Sequence, residues 1–423
     1  MKQLVKKVLF LSLLSCLVVP VVNAQNETTH KIYGFVRTDL AADFRKMYAS
    51  SLDLFSFYPM YKNPNVNGQD LNQVSSLSLM SITSRFGFDL ATPGGIFHTT
   101  KTSSKIETDF CGSPTYNLLR IRQAYSQLFW NHSSLLIGQT WHPMSTIGCH
   151  PLVLSLNTGA LFEPFNRSPQ IRFEYEKNQF KATIAAIYQM QYTSVGPDET
   201  IPTKAVSSYS FQRNSLIPNM YIGGEYKDEN LTMGLGLDWK SILPERYITN
   251  LFVKTINYKT LETTSAMLFA KYESSQMNVR FKTILGQNLS DHSMIGGYAI
   301  TSNHEYIPFD TWANYLGVTY GKTVQGGLFL GYTENLGSHK KINHVNSFYG
   351  FGIDKANDPI DEKIVKSVFR ITPTITYKYK QWVMGAELEH TVAEWGSRKQ
   401  NGDIQSLENV SNNRINAILT FNF

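Results

Sequence analysis

Cysteine is nearly missing from this chain: Cys16, Cys111 and Cys149 are the three among 423 residues. A disulfide framework therefore cannot be the main source of its stability. Long apolar runs are missing too once the first two dozen residues are past. A helix needs about 20 consecutive apolar residues to cross a bilayer, so nothing after Ala24 spans one as a helix. Charge is sparse, at 17% of residues. Catalytic signatures are also missing: there is no Gly-x-Ser-x-Gly elbow, no His-Glu-x-x-His and no Cys/His spacing suited to zinc. No catalytic residue, metal site, cofactor or nucleic-acid partner is expected, and the chain is not read as an enzyme. The ten histidines, His30, His132, His142, His150, His292 and His390 among them, are scattered. Several fall in presumed loops or turns, where a solvated ring is the default. His390 beside Glu387 and Glu389 is the nearest approach to a charged cluster.

What is present begins with a leader. Lys2, Lys6 and Lys7 precede an apolar run from Val8 to Val22 that ends in Val22-Asn23-Ala24, so residues 1–24 read as a removed secretory signal. Leu13-Leu14-Ser15-Cys16 offers a lipoprotein cleavage site instead, but the apolar core runs on past Cys16, which makes this the lesser reading. Loss of the leader takes 39 basic residues to 36 against 33 acidic ones, a net charge of +3 for residues 25–423. The other end alternates. Ile415, Ala417, Leu419, Phe421 and Phe423 share one face of a strand, and Arg414, Asn416, Thr420 and Asn422 share the other. An exported chain with 13% aromatic residues, 28 glycines and no spanning helix has one membrane solution, a closed barrel.

A period-two template finds about sixteen strands, near 31–42, 77–91, 102–111, 117–130, 134–141, 169–177, 180–192, 217–227, 230–241, 261–273, 277–288, 310–320, 324–335, 364–379, 382–394 and 412–423. Their connections take turns. Short ones sit at 131–133, 178–179, 228–229, 274–276, 321–323 and 380–381, and long ones at 43–76, 142–168, 193–216, 242–260, 289–309, 336–363 and 395–411. The expected fold is all-β, one transmembrane antiparallel β-barrel domain with short periplasmic turns and long extracellular loops, in a bacterial outer membrane. A secreted soluble β protein is the competing class, but it has no reason to keep its long loops at one end. Pro373 lies inside a strand, a conflict usually tolerated at an edge or bulge.

A Lys or Arg facing lipid near the midplane costs roughly 2–4 kcal/mol, so strand charges must mostly point inward. The inward set is Arg37, Arg85, Lys105, Arg120, Arg122, Arg172, Arg280, Lys282, Arg370 and Arg414, against Asp39, Asp89, Glu107, Asp109, Glu174, Glu225, Asp238, Glu387 and Glu389. Arg120 and Arg122 belong beside Glu107 and Asp109, and mutual neutralisation in a wet wall is one reading. The other is that the set favours carboxylate or phosphate solutes through its field and its bidentate forks. Sixteen strands enclose an aqueous channel, which something must constrict. The segment 142–168, with Pro151-Leu152-Val153-Leu154-Ser155-Leu156 inside it, is too apolar to lie loose in water and is the candidate constriction. Cys149 in this loop and Cys111 at the end of a strand are either bridged, pinning loop to wall, or two separate thiols.

Lys31-Ile32-Tyr33-Gly34-Phe35-Val36-Arg37-Thr38-Asp39, Ser84-Arg85-Phe86-Gly87-Phe88, Lys105-Ile106-Glu107-Thr108-Asp109-Phe110, Leu119-Arg120-Ile121-Arg122-Gln123-Ala124-Tyr125, Gly138-Gln139-Thr140-Trp141 and Ser168-Pro169-Gln170-Ile171-Arg172 follow one another in order. Together they resemble the successive strand signatures of DcaP-like trimeric porins, with motifs matching in the first half and pattern in the second. The resemblance implies a sixteen-stranded homotrimer in outer-membrane lipid that takes up small organic anions such as dicarboxylates. Some members carry a coiled-coil segment before the barrel. Here only Gln25 to His30 lie between the cleavage site and the first strand, so trimerisation is expected to rest on barrel surfaces. The alternative is a structural or adhesion barrel acting through its outer loops, with Tyr48, Phe55, Phe57, Tyr58 and Tyr61 facing a partner or packing at subunit contacts.

Overall fold

The computed structural model describes residues 28–112, 118–250, 253–340, 342, 345–354, 362–398 and 404–423. The leader expected at residues 1–24 lies outside them. Sixteen strands form one closed antiparallel barrel. They are β1 (Thr29–Asp43), β2 (Ser76–Met80 continued by Arg85–Pro93), β3 (Lys101–Gly112), β4 (Leu118–Phe129), β5 (Ser133–Trp141), β6 (Arg167–Lys177), β7 (Phe180–Ile187) and β8 (Asn219–Lys227). β9 (Leu231–Ile242), β10 (Leu261–Glu273), β11 (Met277–Gln287), β12 (Asp310–Gly321), β13 (Val324–Gly337), β14 (Lys363–Tyr379), β15 (Trp382–Arg398) and β16 (Ile404–Asn422) complete it. Each pairs with the next, and β16 returns to β1 in the register Phe35↔Asn422 to Asp43↔Arg414. Phe423 seals the seam: its amide donates to the Gly34 carbonyl and the Gly34 amide donates to its own, both at 3.1 Å. With the ring closed, no barrel edge is left to meet lipid.

Alternation along the strands separates two environments. Ile106 is 54% exposed, Leu237 53%, Phe281 40% and Ile415 46%, whereas their neighbours Glu107, Asp238, Lys282 and Arg414 are buried inside the ring. That apolar outer belt is what a hydrocarbon slab requires. No helix among the described residues is long and apolar enough to cross a membrane; the strands cross it. Two local irregularities have physical reasons. At Pro373 the ladder to β15 passes from Ile371↔His390 to Thr374↔Glu387, so the missing amide falls in an interrupted stretch. Above Ala124 the pairing of β4 with β5 stops, and the side-chain amides of Gln139 and Gln191 donate to the Ile121 carbonyl instead.

Two loops fold into the barrel. The first long loop forms a hairpin, Met47–Ser50 with Phe55–Pro59, and the loop after β5, here the constriction loop 142–166, crosses the lumen. They meet in one apolar cluster in which Phe55, Phe57 and Tyr58 from the hairpin pack with Leu161, Phe162 and Phe165 and with Tyr315, Phe329, Val368 and Trp395 of the wall. Gly331 makes room for this: a Cβ there would meet the Phe162 ring at 2.5 Å. Phe55, Phe57 and Tyr58 are therefore packed inside the chain, whereas Tyr48 remains 43% exposed and Tyr61 is only partly covered.

Cys111 and Cys149 are both free, so of the two readings open in the sequence the structure has the separate thiols. The Cys111 thiol points at the Ile82 carbonyl, 3.4 Å away, and the Cys149 thiol at the Ala270 and Phe281 carbonyls, each 3.6 Å away. The constriction loop leans on the β10–β11 wall, so its cysteine faces away from β3.

Candidate solute passage

The constriction loop leaves a chamber on each side. The outer one holds about 510 Å³ and is walled by the first-loop hairpin, the tip of β3, Arg120 and Arg122 of β4, and Leu156, Phe165 and Tyr192. Among its described lining residues there are two arginines and no carboxylate. The inner chamber holds about 410 Å³ below the loop and is mixed, with Arg172, Lys181, Lys227 and Lys271 against Glu174, Glu176 and Glu225.

Strand register builds the outer site. Asp109 lies directly opposite Arg120, and the bulge at Glu107/Thr108 lets Arg122 reach both acids. Arg120 grips Asp109 with Nε and Nη2 at 2.9 and 2.6 Å, while Arg122 donates to Glu107 at 2.8 Å and to Asp109 at 2.9 Å. Mutual neutralisation of these four is thus what the side chains do. Arg85 joins at 3.7 Å from Glu107. The excess comes from a residue that the pattern of strand charges did not single out, Arg167. It is fully buried, bonds Gln191 and Tyr192 rather than an acid, lies over the Trp141 ring at 4.7 Å, and keeps Nη1 without a partner. Arg85, Arg120, Arg122 and Arg167 thus face Glu107 and Asp109, four cations against two anions. Its signal in the sequence is an arginine next to Ser168-Pro169, where the strand begins two residues before the alternating pattern does.

The remaining expected pore residues mostly hold loops. Arg37 bonds Asp39 and the Leu154 carbonyl, Arg172 the Trp141 carbonyl, and Arg280 the His150 carbonyl. Lys282 donates to the Ser145 carbonyl at 2.8 Å and to Glu163 at 2.9 Å. Arg370 holds the Phe57 carbonyl and Arg414 the Asp53 carbonyl of the hairpin. Glu387 works the same way from the acidic side, accepting from the Leu154 and Ser155 amides. Lys105 stands apart, 3.1 Å from Asp89 and donating to the Tyr33 hydroxyl at 3.0 Å. In the constriction loop itself, burial pushes the Glu163 carboxyl up to about 7 and the His150 imidazole down to about 3. His150 is therefore neutral near neutral pH, and its 3.7 Å approach to Glu163 is not an ion pair.

The histidines depart from expectation. His142 and His292 are buried rather than solvated, and with Asp238 they form the one His/Asp cluster of metal-ligand spacing among the described residues. His390 projects away from Glu387 and Glu389, as strand alternation requires, and meets Asn413 at 2.8 Å.

A closed sixteen-strand ring with an apolar belt, a long loop folded inside and charged chambers on either side of it defines a porin-type transmembrane β-barrel. Neither a protein-family model nor a curated protein matches the chain. Solved structures do. The outer membrane channel DcaP of Acinetobacter baumannii superposes with a TM-score of 0.66 at 17% identity, over 95% of this chain and 99% of that one. An anion-selective porin from Comamonas acidovorans gives 0.53 at 11% identity, over 94% and 100%. The trimer form of OmpT, an outer membrane protein of Vibrio cholerae, gives 0.54 at 11%, over 94% and 100%. The chain has a DcaP-like porin fold, and at these identities the likeness is one of fold.

Proposed function

We propose that the chain is a passive outer-membrane porin for small hydrophilic solutes, with preference for small organic anions such as dicarboxylates, and that it works as a homotrimer without catalysing a reaction. The outer chamber carries the reading: Arg120 and Arg122 line it, no described lining residue is acidic, and Arg167 adds uncompensated charge behind them. Fixed guanidinium forks in a narrow, partly dry passage attract carboxylates by field and by paired hydrogen bonds. The similarity to a DcaP channel and to an anion-selective porin supports it, as does the trimeric form of a third neighbour. An adhesion barrel is the weaker reading, since Phe55, Phe57 and Tyr58, the residues it needs outside, are buried.

Purified protein in a planar bilayer under a salt gradient should show stepwise conductance and a reversal potential of anionic sign. Liposomes carrying it should swell faster in a dicarboxylate than in a diamine of equal size. A silent barrel, or one that prefers the diamine, overturns the proposal. Migration of the unheated protein as a trimer on a denaturing gel checks the oligomer.

A further inference from the structure

His142 opens the constriction loop, Asp238 stands on β9, and His292 ends the short turn Leu289–His292. Their ligand-type atoms lie within 4.8 Å of one another, and all three side chains are buried. His142 Nε2 approaches Asp238 Oδ1 at 3.5 Å, and the two imidazoles meet edge to face at 4.7 Å between centroids. Three polar atoms are left without a hydrogen-bond partner: His142 Nε2, Asp238 Oδ1 and His292 Nδ1. Buried polar atoms are seldom orphaned, and these three converge on one another as the lining of a ligand site does.

The donor set says which kind. Two imidazole nitrogens and one carboxylate oxygen suit a borderline divalent transition metal, whereas calcium and magnesium take oxygen ligands almost throughout. The one ammonium nearby does not oppose this, because Lys240 is bound 2.5 Å from Asp291 and 2.7 Å from the Asn288 carbonyl. The Asp238 charge is left for the occupant. His142 also lines the inner chamber, which connects the cluster to the passage.

We infer that His142, Asp238 and His292 form a binding site for a zinc-like divalent metal ion, with water completing the tetrahedral shell. The site stands apart from the outer arginine chamber and does not depend on what the porin carries. In this structure the Met144 amide donates to His142 Nδ1 at 3.2 Å, so Nε2 carries the ring proton. Binding exchanges tautomers: Nε2 releases its proton to solvent, Nδ1 takes one up, and the Met144 contact is given up. The far end of the loop is tied to the same turn, since the Phe165 amide donates to the His292 carbonyl and Asn166 to the Asp291 carbonyl. A bound metal therefore fastens both ends of the constriction loop to β9.

The full chain, purified in detergent, stripped with a chelator and dialysed, is titrated with Co²⁺ and then Zn²⁺. One equivalent per chain should develop the visible bands of tetrahedral cobalt, and zinc should bleach them. His292→Ala and Asp238→Asn should each weaken binding by more than about tenfold, since losing even an outer-shell partner of a metal site costs 10–100-fold. His98→Ala, an exposed histidine, should leave it unchanged. The absence of stoichiometric cobalt bands, or bands that persist in a His292→Ala barrel still migrating as folded on an unheated gel, overturns the site. Should the variants not fold, X-ray absorption of the zinc-loaded unaltered chain decides: two histidine nitrogens on the metal uphold it, and fewer overturn it.

Discussion

The wall made by β3 and β4 and the wall made by β11, β14 and β16 carry the same pattern, inward cations alternating with lipid-facing apolar residues, and they do different things. On the first, Arg120 keeps a fifth of its side chain exposed and its charge faces the outer chamber. On the second, Lys282, Arg370 and Arg414 are wholly covered by the constriction loop and the first-loop hairpin and spend their hydrogen bonds on loop carbonyls. The difference is whether a loop lies on top. A strand cation left uncovered faces the passage; a covered one holds the loop that covers it.

The sharpest way to break that contrast is Lys282→Met, which strands Glu163 in a site where neither side chain is exposed. Removing one partner of a buried pair costs about 3–5 kcal/mol, so thermal unfolding in detergent should shift down strongly and single-channel conductance should rise as the loop loses its anchor. Adding Glu163→Gln to it should recover much of the stability. Arg370→Gln with Arg414→Gln comes next: charged hydrogen bonds contribute about 1.5–3 kcal/mol each, and the hairpin 47–59 should become open to added protease while ion selectivity keeps its sign. Arg120→Gln with Arg122→Gln should do the converse, with conductance nearly kept and the anion preference reduced, because Arg85 and Arg167 would then only balance Glu107 and Asp109 and the excess positive charge would be gone; a reversal potential measures it.

The smallest effect is that of pH. The Glu163 carboxyl, held up to about 7 by burial from an ordinary 4.5, keeps a proton that the unfolded chain has already released. Its contribution is therefore complete below the unfolded value and is lost as pH rises from about 4.5 to about 7. Melting at pH 5 should exceed melting at pH 8 by a few degrees, and Glu163→Gln should flatten the difference.

Strand number, strand positions and the facing of charged residues were legible in the sequence because a closed barrel in lipid obeys local rules: period two, charges inward, short turns at one end. Even the closure of Phe423 on β1 follows from those rules, and Gly34 supplies the partner groups. The inward turn of the first long loop was not legible. Nothing in the run Tyr48 to Tyr61 says that its aromatics turn inward, since that depends on an apolar face of the constriction loop about a hundred residues away. The role of Arg167 was equally hidden, because its ring partners Trp141, Phe165 and Tyr192 come from three segments.

By itself the sequence determined the barrel, since periodicity and backbone hydrogen bonding in lipid admit one architecture and one facing for each strand. Only the tertiary structure decided the interior. Which cations face the passage, which hold loops, that Cys111 and Cys149 stay apart, and that His142, Asp238 and His292 converge all depend on how two long loops pack against distant walls, and such packing is a property of shapes in space with no period along the chain.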